Sequence, residues 1–241
     1  MLQIGPHQFS DEDVISTLRA GPALFDLVTD GLRADAVAAV SPHRDRALDV
    51  LDDRAEDHAV ALATFWLEWR AAMAAVRATG ALGPSDVATV TGLFRSDGGV
   101  PKLPVEHLVV SHGGVVGDRQ EDRHNHGRPW QGLCMWSTDV IDDFRRLGHP
   151  LAPGLAGENI SITGLSWPRV RPGVLLRLGD VLAEVTAYAV PCQKNAAWFV
   201  DGRFDAMHHR HGPVSRIYAL VLEPGTINVG DPVLMETTGS A

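Results

Sequence analysis

Cysteine is scarce in this chain of 241 residues, which contains only Cys134 and Cys192. The two are far apart, they fall in different predicted strands, and neither belongs to a Cys-x-x-Cys pair. We therefore expect neither a structural disulfide nor a structural zinc site. A plant-type iron–sulfur centre needs more cysteines than the chain has, so no electron-transfer module of that kind is encoded.

Several catalytic signatures are also absent. The sequence has no Gly-x-Ser-x-Gly elbow, no Gly-x-x-x-x-Gly-Lys phosphate loop and no Gly-x-Gly-x-x-Gly after a predicted strand. Each of these motifs forms a tight backbone turn that presents a nucleophile or binds a phosphate. Their absence disfavours ordinary serine hydrolases, nucleotide hydrolases and Rossmann dehydrogenases.

Excess positive charge and long apolar runs are missing as well. The formal net charge is -9, which leaves no basic stripe to neutralise phosphates, so we expect no nucleic-acid binding. Residues 1–7 lack the basic start and apolar stretch of a secretory signal, and no apolar run approaches the length of a membrane span. We therefore predict a cytoplasmic protein with no membrane partner.

The first third of the chain has a helical period. Ser10, followed by an acidic turn, predicts a helix start, and Gly21-Pro22 predicts the end of that helix and the start of another. Over residues 43–79 apolar residues recur at three- and four-residue steps and the pattern ends at Gly80, which predicts one long helix.

Beyond Gly83-Pro84 the helical period disappears, and short β-branched runs separated by glycine predict strands. These are residues 87–94, 105–110, 132–136, 159–163, 174–178, 181–188, 216–222 and 232–236. One predicted helix, 138–147, interrupts them. So many short strands favour a closed or strongly coiled sheet. We place a boundary near residues 81–86 and predict an α+β chain, with a helical N-terminal region, 1–83, and a β-barrel-like domain, 84–241.

Cys192 is the principal candidate for a functional residue. It follows Pro191 at the end of a predicted strand, a position that presents a thiol rather than burying it. A thiol acts as a nucleophile, sulfur carrier or soft-metal ligand only as the thiolate, which a cation such as the nearby Lys194 favours. The alternative is a small buried hydrophobe, and we expect that role for Cys134.

The polar loop 117–129 is the second candidate, because such loops often carry sites. Its candidate metal ligands are Asp118, His124 and His126. Its planar guanidinium groups, which could bind an anion, are those of Arg119, Arg123 and Arg128. The alternative is a solvated loop whose charges neutralise one another.

Histidine is concentrated in residues 208–211, with His208, His209 and His211. No carboxylate or thiol follows at the spacing of His-Glu-x-x-His, so we favour a pocket rim over a metal site. Three residues of the predicted long helix, His58, Trp66 and Trp69, are expected in the core.

Short motifs follow one another in a specific order through the β-rich region. They are GGVPK at 98–102, GDRQ at 117–120, HGRP at 126–129, GEN at 157–159, GL at 164–165, Gly173, LGD at 178–180, PCQK at 191–194, Gly225 and GDPV at 230–233. Each alone is weak, but in this order they resemble the MOSC domain, the module named for the C-terminal part of molybdenum cofactor sulfurases.

The resemblance implies a β-barrel-like fold and two kinds of activity. In one, the cysteine bonds to the molybdenum of a pterin cofactor in small reductases of N-hydroxylated compounds. In the other, it carries sulfur as a persulfide received from a pyridoxal-phosphate cysteine desulfurase. Either activity would make this chain a molybdenum-dependent oxidoreductase or a sulfur transferase acting through one exposed thiolate.

Carried onto this sequence, the resemblance assigns Cys192 as metal ligand or sulfur carrier and Lys194 as thiolate stabiliser. The residues assigned to anion and cofactor contacts or to polar pocket groups are Arg119, His126, Arg128, Glu158 and Asn159. For Glu158 and Asn159 a turn-stabilising role is the alternative.

The chain departs from the reductase pattern in its N-terminal region, which is helical where those enzymes carry a β-rich domain. Reduction of a small-molecule substrate would also need an electron-donor protein. Two other functions stay open. One is a metal-dependent hydrolase that uses His124, His126 and the histidines of 208–211. The other is a non-catalytic binding module that forms homo-oligomers through its N-terminal helices.

Overall fold

A computed structural model of the chain describes residues 1–52, 57–121 and 126–237. It opens with a hairpin that the sequence analysis missed, β1 (Leu2–Ile4) and β2 (His7–Phe9), followed by three helices. These are α1 (Asp11–Thr29), α2 (Ala34–Asp52) and α3 (His58–Ala78).

The start of α1 follows its predicted cap, but the predicted break inside it is wrong. The backbone N of Asp13 donates to the Ser10 hydroxyl at 3.1 Å, and the backbone N of Ser10 donates to the Asp13 carboxylate at 3.0 Å. Gly21 and Pro22 both lie within α1. A Cβ atom on Gly21 would lie 2.8 Å from the Phe65 ring on α3, so this glycine permits close helix packing rather than ending the helix.

The single helix predicted over residues 43–79 is wrong as well. Asp57 has extended backbone, and its carboxylate accepts a hydrogen bond from the backbone N of Ala59 at 2.9 Å, which caps a new helix, α3. His58 is therefore exposed in a first turn and is not a core residue. Trp66 and Trp69 are buried as expected, and Gly80 follows the helix with φ +67°.

The rest of the chain is mainly β-structure. The strands are β3 (Asp86–Arg95), β4 (Leu103–Val105), β5 (His107–Ser111), β6 (Gly114–Val115), β7 (Leu133–Ser137), β8 (Ile160–Thr163), β9 (Leu175–Leu178), β10 (Val181–Tyr188), β11 (Ile217–Glu223), β12 (Gly225–Asn228) and β13 (Pro232–Glu236). Helix α4 (Thr138–Arg146) lies between β7 and β8.

Seven of these strands close into a barrel in the order β13-β9-β10-β11-β7-β8-β3, with β3 pairing back to β13. The predicted closed sheet is thus confirmed. The pairing of β7 with β8 is parallel, and α4 makes the crossover that a parallel pair requires. Strands β12, β5 and β6 form a separate sheet.

Helix α3 joins the helical layer to the barrel through buried charge. The Glu184 carboxylate on β10 is fully buried and forms ion pairs with Arg70, at 2.8 Å, and with Arg77. Arg77 also donates to the backbone O of Gly173 at 2.9 Å. One continuous apolar core includes residues of both regions, and the division of the chain into two domains at 83/84 stays a prediction.

By length and composition alone, α3 could cross a membrane, contrary to the expectation that no apolar run approaches that length. Its buried side chains include Leu62, Phe65 and Met73, which belong to the core of the protein. The apolar stripe that was considered for pairing with another chain is therefore largely occupied within this one.

Candidate functional site

A cavity of about 710 Å³ lies between the barrel and α1. Its volume is in the range of small-molecule sites. The residues predicted for a site that line this cavity are Cys192, Lys194, Asp118, Arg119, His126 and Asn159. They come from segments as far apart as the loop after β6 and the turn after β10, so the barrel brings together side chains that the sequence keeps separate.

Cys192 lies beyond the end of β10 and is exposed. Its backbone N donates to the Asn195 side-chain oxygen at 3.2 Å, and the Asn195 amide nitrogen donates to the backbone O of Ala156 at 3.1 Å. Asn195 is buried, so it ties the cysteine turn to the barrel. The alternative of a buried, purely hydrophobic Cys192 is wrong.

Cys134 on β7 contrasts with Cys192. It is buried, as expected, but it also lines the cavity. Burial raises the pKa of the Cys134 thiol, so this thiol stays protonated at neutral pH. The buried Cys134 thiol is therefore poorly suited to act as a thiolate, and Cys192 is the exposed cysteine of the cavity.

Lys194 forms an ion pair with Glu121 at 2.5 Å, and both side chains are about half exposed or more. Exposed pairs of this kind contribute roughly 0–1 kcal/mol. Lys194 lines the cavity, while its expected role in stabilising the Cys192 thiolate stays a prediction.

A polar cluster of Asp118, Lys102 and Asn159 lies along another part of the lining. The Asp118 carboxylate pairs with the Lys102 ammonium and accepts from the Asn159 amide at 3.1 Å. The backbone N of Ser96 donates to the same carboxylate at 2.9 Å. Arg119 beside it is exposed and lies 3.9 Å from Asp97. Asp118 thus acts as an anchor of its loop, and the adjacent Arg119 remains at the cavity wall.

Arg216 places a buried positive charge in the lining. Its Nη2 atom donates to the Asn195 side-chain oxygen at 3.4 Å, and its Nη1 atom donates to the backbone O of Ala156. Both acceptors are neutral, and Nε has no hydrogen-bond partner among the described residues. The buried Glu158 carboxyl interacts electrostatically with Arg216, and the unpartnered Nε atom remains a donor for an anion in the cavity.

His126 and Tyr218 form a second polar pair in the lining, with 3.1 Å between the imidazole Nδ1 atom and the phenol oxygen. Burial raises the pKa of Tyr218 well above its ordinary value, so the phenol stays protonated at neutral pH. Tyr218 on β11 stands opposite Cys134 on β7 in the barrel register. The phenol can therefore donate a hydrogen bond to a molecule in the cavity.

Comparison with known proteins identifies the domain that holds these residues. The family model for the MOSC domain matches residues 122–234. The chain contains a MOSC domain. Among curated proteins it is 28% identical to the uncharacterized protein YflK of Bacillus subtilis over 134 residues, 55% of this chain and 60% of YflK. It is 26% identical to protein YiiM of Escherichia coli over 139 residues, 56% of this chain and 62% of YiiM.

These matches span about three fifths of each relative. Among solved structures, the YUAD protein of Bacillus subtilis matches with a TM-score of 0.53 at 16% identity, covering 63% of this chain and 97% of that one. This likeness supports the MOSC barrel fold. The matched segment begins after α1, Lys102 and Asp118, so residues outside it complete the cavity.

Two predicted site residues, Arg128 and Glu158, are not among those that line the cavity of the MOSC domain. Arg128 is buried, and its Nε atom donates to the Ser16 hydroxyl on α1 at 2.6 Å. Glu158 is fully buried and accepts from the backbone N of Gly154 at 2.6 Å, while burial raises the pKa of its carboxyl. These contacts match the turn-stabilising alternative for Glu158 and make Arg128 a link between α1 and the barrel.

The histidines of 208–211 lie beside the cavity rather than forming a metal site. The His209 ring stacks on Tyr188, which lines the cavity, with 5.0 Å between ring centroids, and His211 pairs with Asp205 at 2.8 Å. Within residues 1–52, 57–121 and 126–237, no three His, Cys, Asp or Glu side chains are placed to hold a metal ion. Residues 122–125 of the polar loop lie outside the described residues, and they include the candidates Arg123 and His124.

Sequence reasoning did not assign Arg216, Tyr218 or Lys102 to the site, although two signals were present. Arg216 is a charged residue at the start of an otherwise apolar strand run. The whole chain has two lysines, Lys102 and Lys194, and both line the cavity. A scarce residue type and a charge inside an apolar run are therefore the features that pointed to these positions.

Proposed function

We propose that this cavity binds a molybdenum–pterin cofactor with Cys192 as the molybdenum ligand, and that a small N-hydroxylated substrate is reduced there. The MOSC family is associated with this cofactor, which supports the proposal. The observation that carries it is an exposed thiol and a buried arginine with an unpartnered Nε atom in one cavity of about 710 Å³. We place the reaction in the cytoplasm, where a free thiol stays reduced.

The donor set fits the cofactor in two respects. A thiolate is a soft ligand that suits molybdenum, and Cys192 is an exposed thiol of the cavity, whereas burial raises the pKa of Cys134. The guanidinium of Arg216 can bind a phosphate group through planar, charge-assisted hydrogen bonds, and its unpartnered Nε atom is available for one. Arg119 at the cavity wall adds a second positive charge.

The cofactor, when bound, supplies the electron-transfer chemistry. Reduction of an N-hydroxylamine to an amine and water breaks the N–O bond and consumes two electrons and two protons. Tyr218 is protonated at neutral pH and is hydrogen-bonded to His126, so it can donate a hydrogen bond to the hydroxyl oxygen that leaves as water, and the two protons come from solvent. The electrons would come from a partner redox protein, because two cysteines cannot ligate an iron–sulfur cluster of the plant type.

The main experiment is a metal and pterin inventory of protein purified from a host that makes the cofactor. Wild type is expected to contain molybdenum in near-stoichiometric amount. The molybdenum content of Cys192→Ser is expected to be at least tenfold lower. Cys134→Ser is the matched control, since it removes the other thiol of the same cavity and should retain the metal. Equal molybdenum in wild type and Cys192→Ser would refute the ligand role.

A second variant tests the anion contact. Arg216→Met removes the buried charge but leaves the thiol, so pterin content should fall by tenfold or more, while Arg216→Lys should keep part of it. Circular dichroism of each variant shows whether the barrel is intact. Full cofactor retention in a folded Arg216→Met protein would contradict the phosphate role.

Sulfur transfer is the second activity that a MOSC cysteine can carry, and the cavity argues for cofactor binding instead. A persulfide carrier needs an exposed thiol, whereas a deep lining with a buried arginine serves a larger anionic molecule. Incubation with a cysteine desulfurase and cysteine, followed by intact mass measurement, separates the two. A gain of one sulfur atom on Cys192 in protein that never contains molybdenum would favour the carrier.

A further inference from the structure

We infer that Asn195 is a positioning residue, which holds the Cys192 turn against the Arg216 guanidinium so that one anionic molecule can contact the thiol and the guanidinium together. Asn195 lies in the loop after β10, lines the cavity and is 1% exposed. This inference deepens the proposed function and rests on it for the identity of the natural ligand, whereas the test below needs no cofactor.

The Asn195 side chain is a shared hydrogen-bond partner. Its Oδ1 atom accepts from the backbone N of Cys192 at 3.2 Å and from the Nη2 atom of Arg216 at 3.4 Å. Its Nδ2 atom donates to the backbone O of Ala156 at 3.1 Å, and the Nη1 atom of Arg216 donates to that same oxygen. A shift of the cysteine turn relative to the guanidinium would therefore break at least one of these bonds.

Backbone hydrogen bonds hold the cysteine turn on both sides of Cys192. The backbone N of Asn195 donates to the backbone O of Cys192 at 2.9 Å, so Asn195 is the partner of both backbone polar groups of the cysteine. Before the cysteine, the backbone N of Ala189 donates to the backbone O of Arg216 at 2.9 Å. Arg216 is thus bonded directly to the segment that precedes Cys192 and, through Asn195, to the segment that follows it.

The turn before β8, which contains Ala156 and Gly157, completes this junction. Gly157 has φ +95°, and a Cβ atom there would lie 2.7 Å from the Val100 side chain and 3.6 Å from the Nη1 atom of Arg216. Glycine therefore allows the turn to come close to the guanidinium, so that the Ala156 carbonyl can accept from it.

A neutral amide suits this position because it accepts at one atom and donates at the other. A carboxylate could not donate to the Ala156 carbonyl, and its charge would compete with a bound anion for the guanidinium of Arg216. An apolar side chain would leave the Cys192 N–H without its acceptor. Glu158 also interacts electrostatically with Arg216, but it does not line the cavity and stays the same in every variant below.

The test uses two reagents of nearly the same shape, anionic iodoacetate and neutral iodoacetamide, mixed with the full chain made in a host that lacks the cofactor. The Cys192 sulfur displaces iodide from either reagent, and peptide mass spectrometry gives the ratio of acid to amide adduct at this residue. Because one thiol reacts with both reagents, its ionised fraction cancels in the ratio. In wild type we expect a ratio about tenfold higher than that of an uncharged free thiol, N-acetylcysteinamide.

Two substitutions of Asn195 separate its roles. In Asn195→Ala the thiol and the guanidinium are both present but no longer held together, so the ratio should fall to about that of the free thiol. Asn195→Asp keeps an acceptor for Cys192 and Arg216 but adds a negative charge, so the ratio should fall below that of the free thiol while the iodoacetamide rate stays within about threefold of wild type. The matched control is Asn228→Ala, the same substitution at an exposed position outside the cavity lining, which should react as wild type does.

Circular dichroism shows which variants are folded, and Asn195→Asp decides the question if Asn195→Ala is not. A wild-type ratio in a folded Asn195 variant would overturn the inference. So would a loss of the preference in Lys194→Met that matches the loss in Arg216→Met, because Lys194 would then be the charge that directs the anion. The molybdenum content of wild type from a competent host decides the proposed function and does not enter this ratio, so each can fail alone.

Discussion

Replacement of Glu184 by Gln tests the buried charge cluster that joins α3 to the barrel. The carboxylate is fully buried and Arg77 is 1% exposed, so the substitution leaves buried positive charge without its anion. Removing one partner of a buried ion pair typically costs about 3–5 kcal/mol of unfolding free energy. That is a large share of the roughly 5–15 kcal/mol by which domains are stable.

Urea unfolding followed by tryptophan fluorescence measures this loss. Asp142→Asn is the control, because it breaks an exposed pair with Arg145, 3.0 Å long, and should change stability by less than about 0.5 kcal/mol. The double variant Arg77→Met, Glu184→Leu should be less destabilised than the sum of the Arg77→Met and Glu184→Leu single variants, since it removes both charges of that pair and leaves only the charge of Arg70. A loss below about 1 kcal/mol for Glu184→Gln would show that the cluster does not hold the two layers together as argued.

Two further substitutions test local features of the fold. Burial and the neighbouring His112 lower the pKa of His7 to about 4, so between pH 6.5 and 4 the unfolded state binds more protons and stability falls as the pH falls. The variant His7→Gln should flatten this part of the pH profile of the urea midpoint, and an unchanged slope would contradict the assignment. Gly114→Ala should lose about 1–3 kcal/mol in thermal unfolding, because φ is +110° and the new Cβ would lie 2.3 Å from the Gly132 carbonyl oxygen. Gly5→Ala, with φ +57° and open space around it, should cost clearly less, and equal losses would rule out the steric reason.

Local patterns were sufficient wherever a strand or helix is set by its own residues. The strands β10 and β13 have the predicted limits, 181–188 and 232–236, because a tight turn at Gly179-Asp180 or Gly230-Asp231 precedes an apolar run. Helix α4 begins at Thr138 as predicted, with the Ser137 hydroxyl accepting from the backbone N of Val140 at 3.4 Å.

Local patterns failed where a tertiary contact overrides them. Gly21-Pro22 has the appearance of a helix end, yet the contact of α1 with Phe65 on α3 keeps the helix continuous. The apolar period of residues 43–79 continues past the cap at Asp57, because α2 and α3 both face the same core. Periodicity reports which face is buried and not where the backbone turns.

The same distinction applies to the site. The exposure of Cys192 follows from its neighbours in the chain, Pro191 and the turn after β10, and could be predicted from the sequence. The cavity itself depends on the closed barrel and on the helix docked against it. Only this arrangement brings the thiol together with Arg216, Tyr218, Lys102 and the apolar face of α1. Those contacts join residues far apart in sequence, and their free energy comes from burial and pairing between strands, which no single segment encodes.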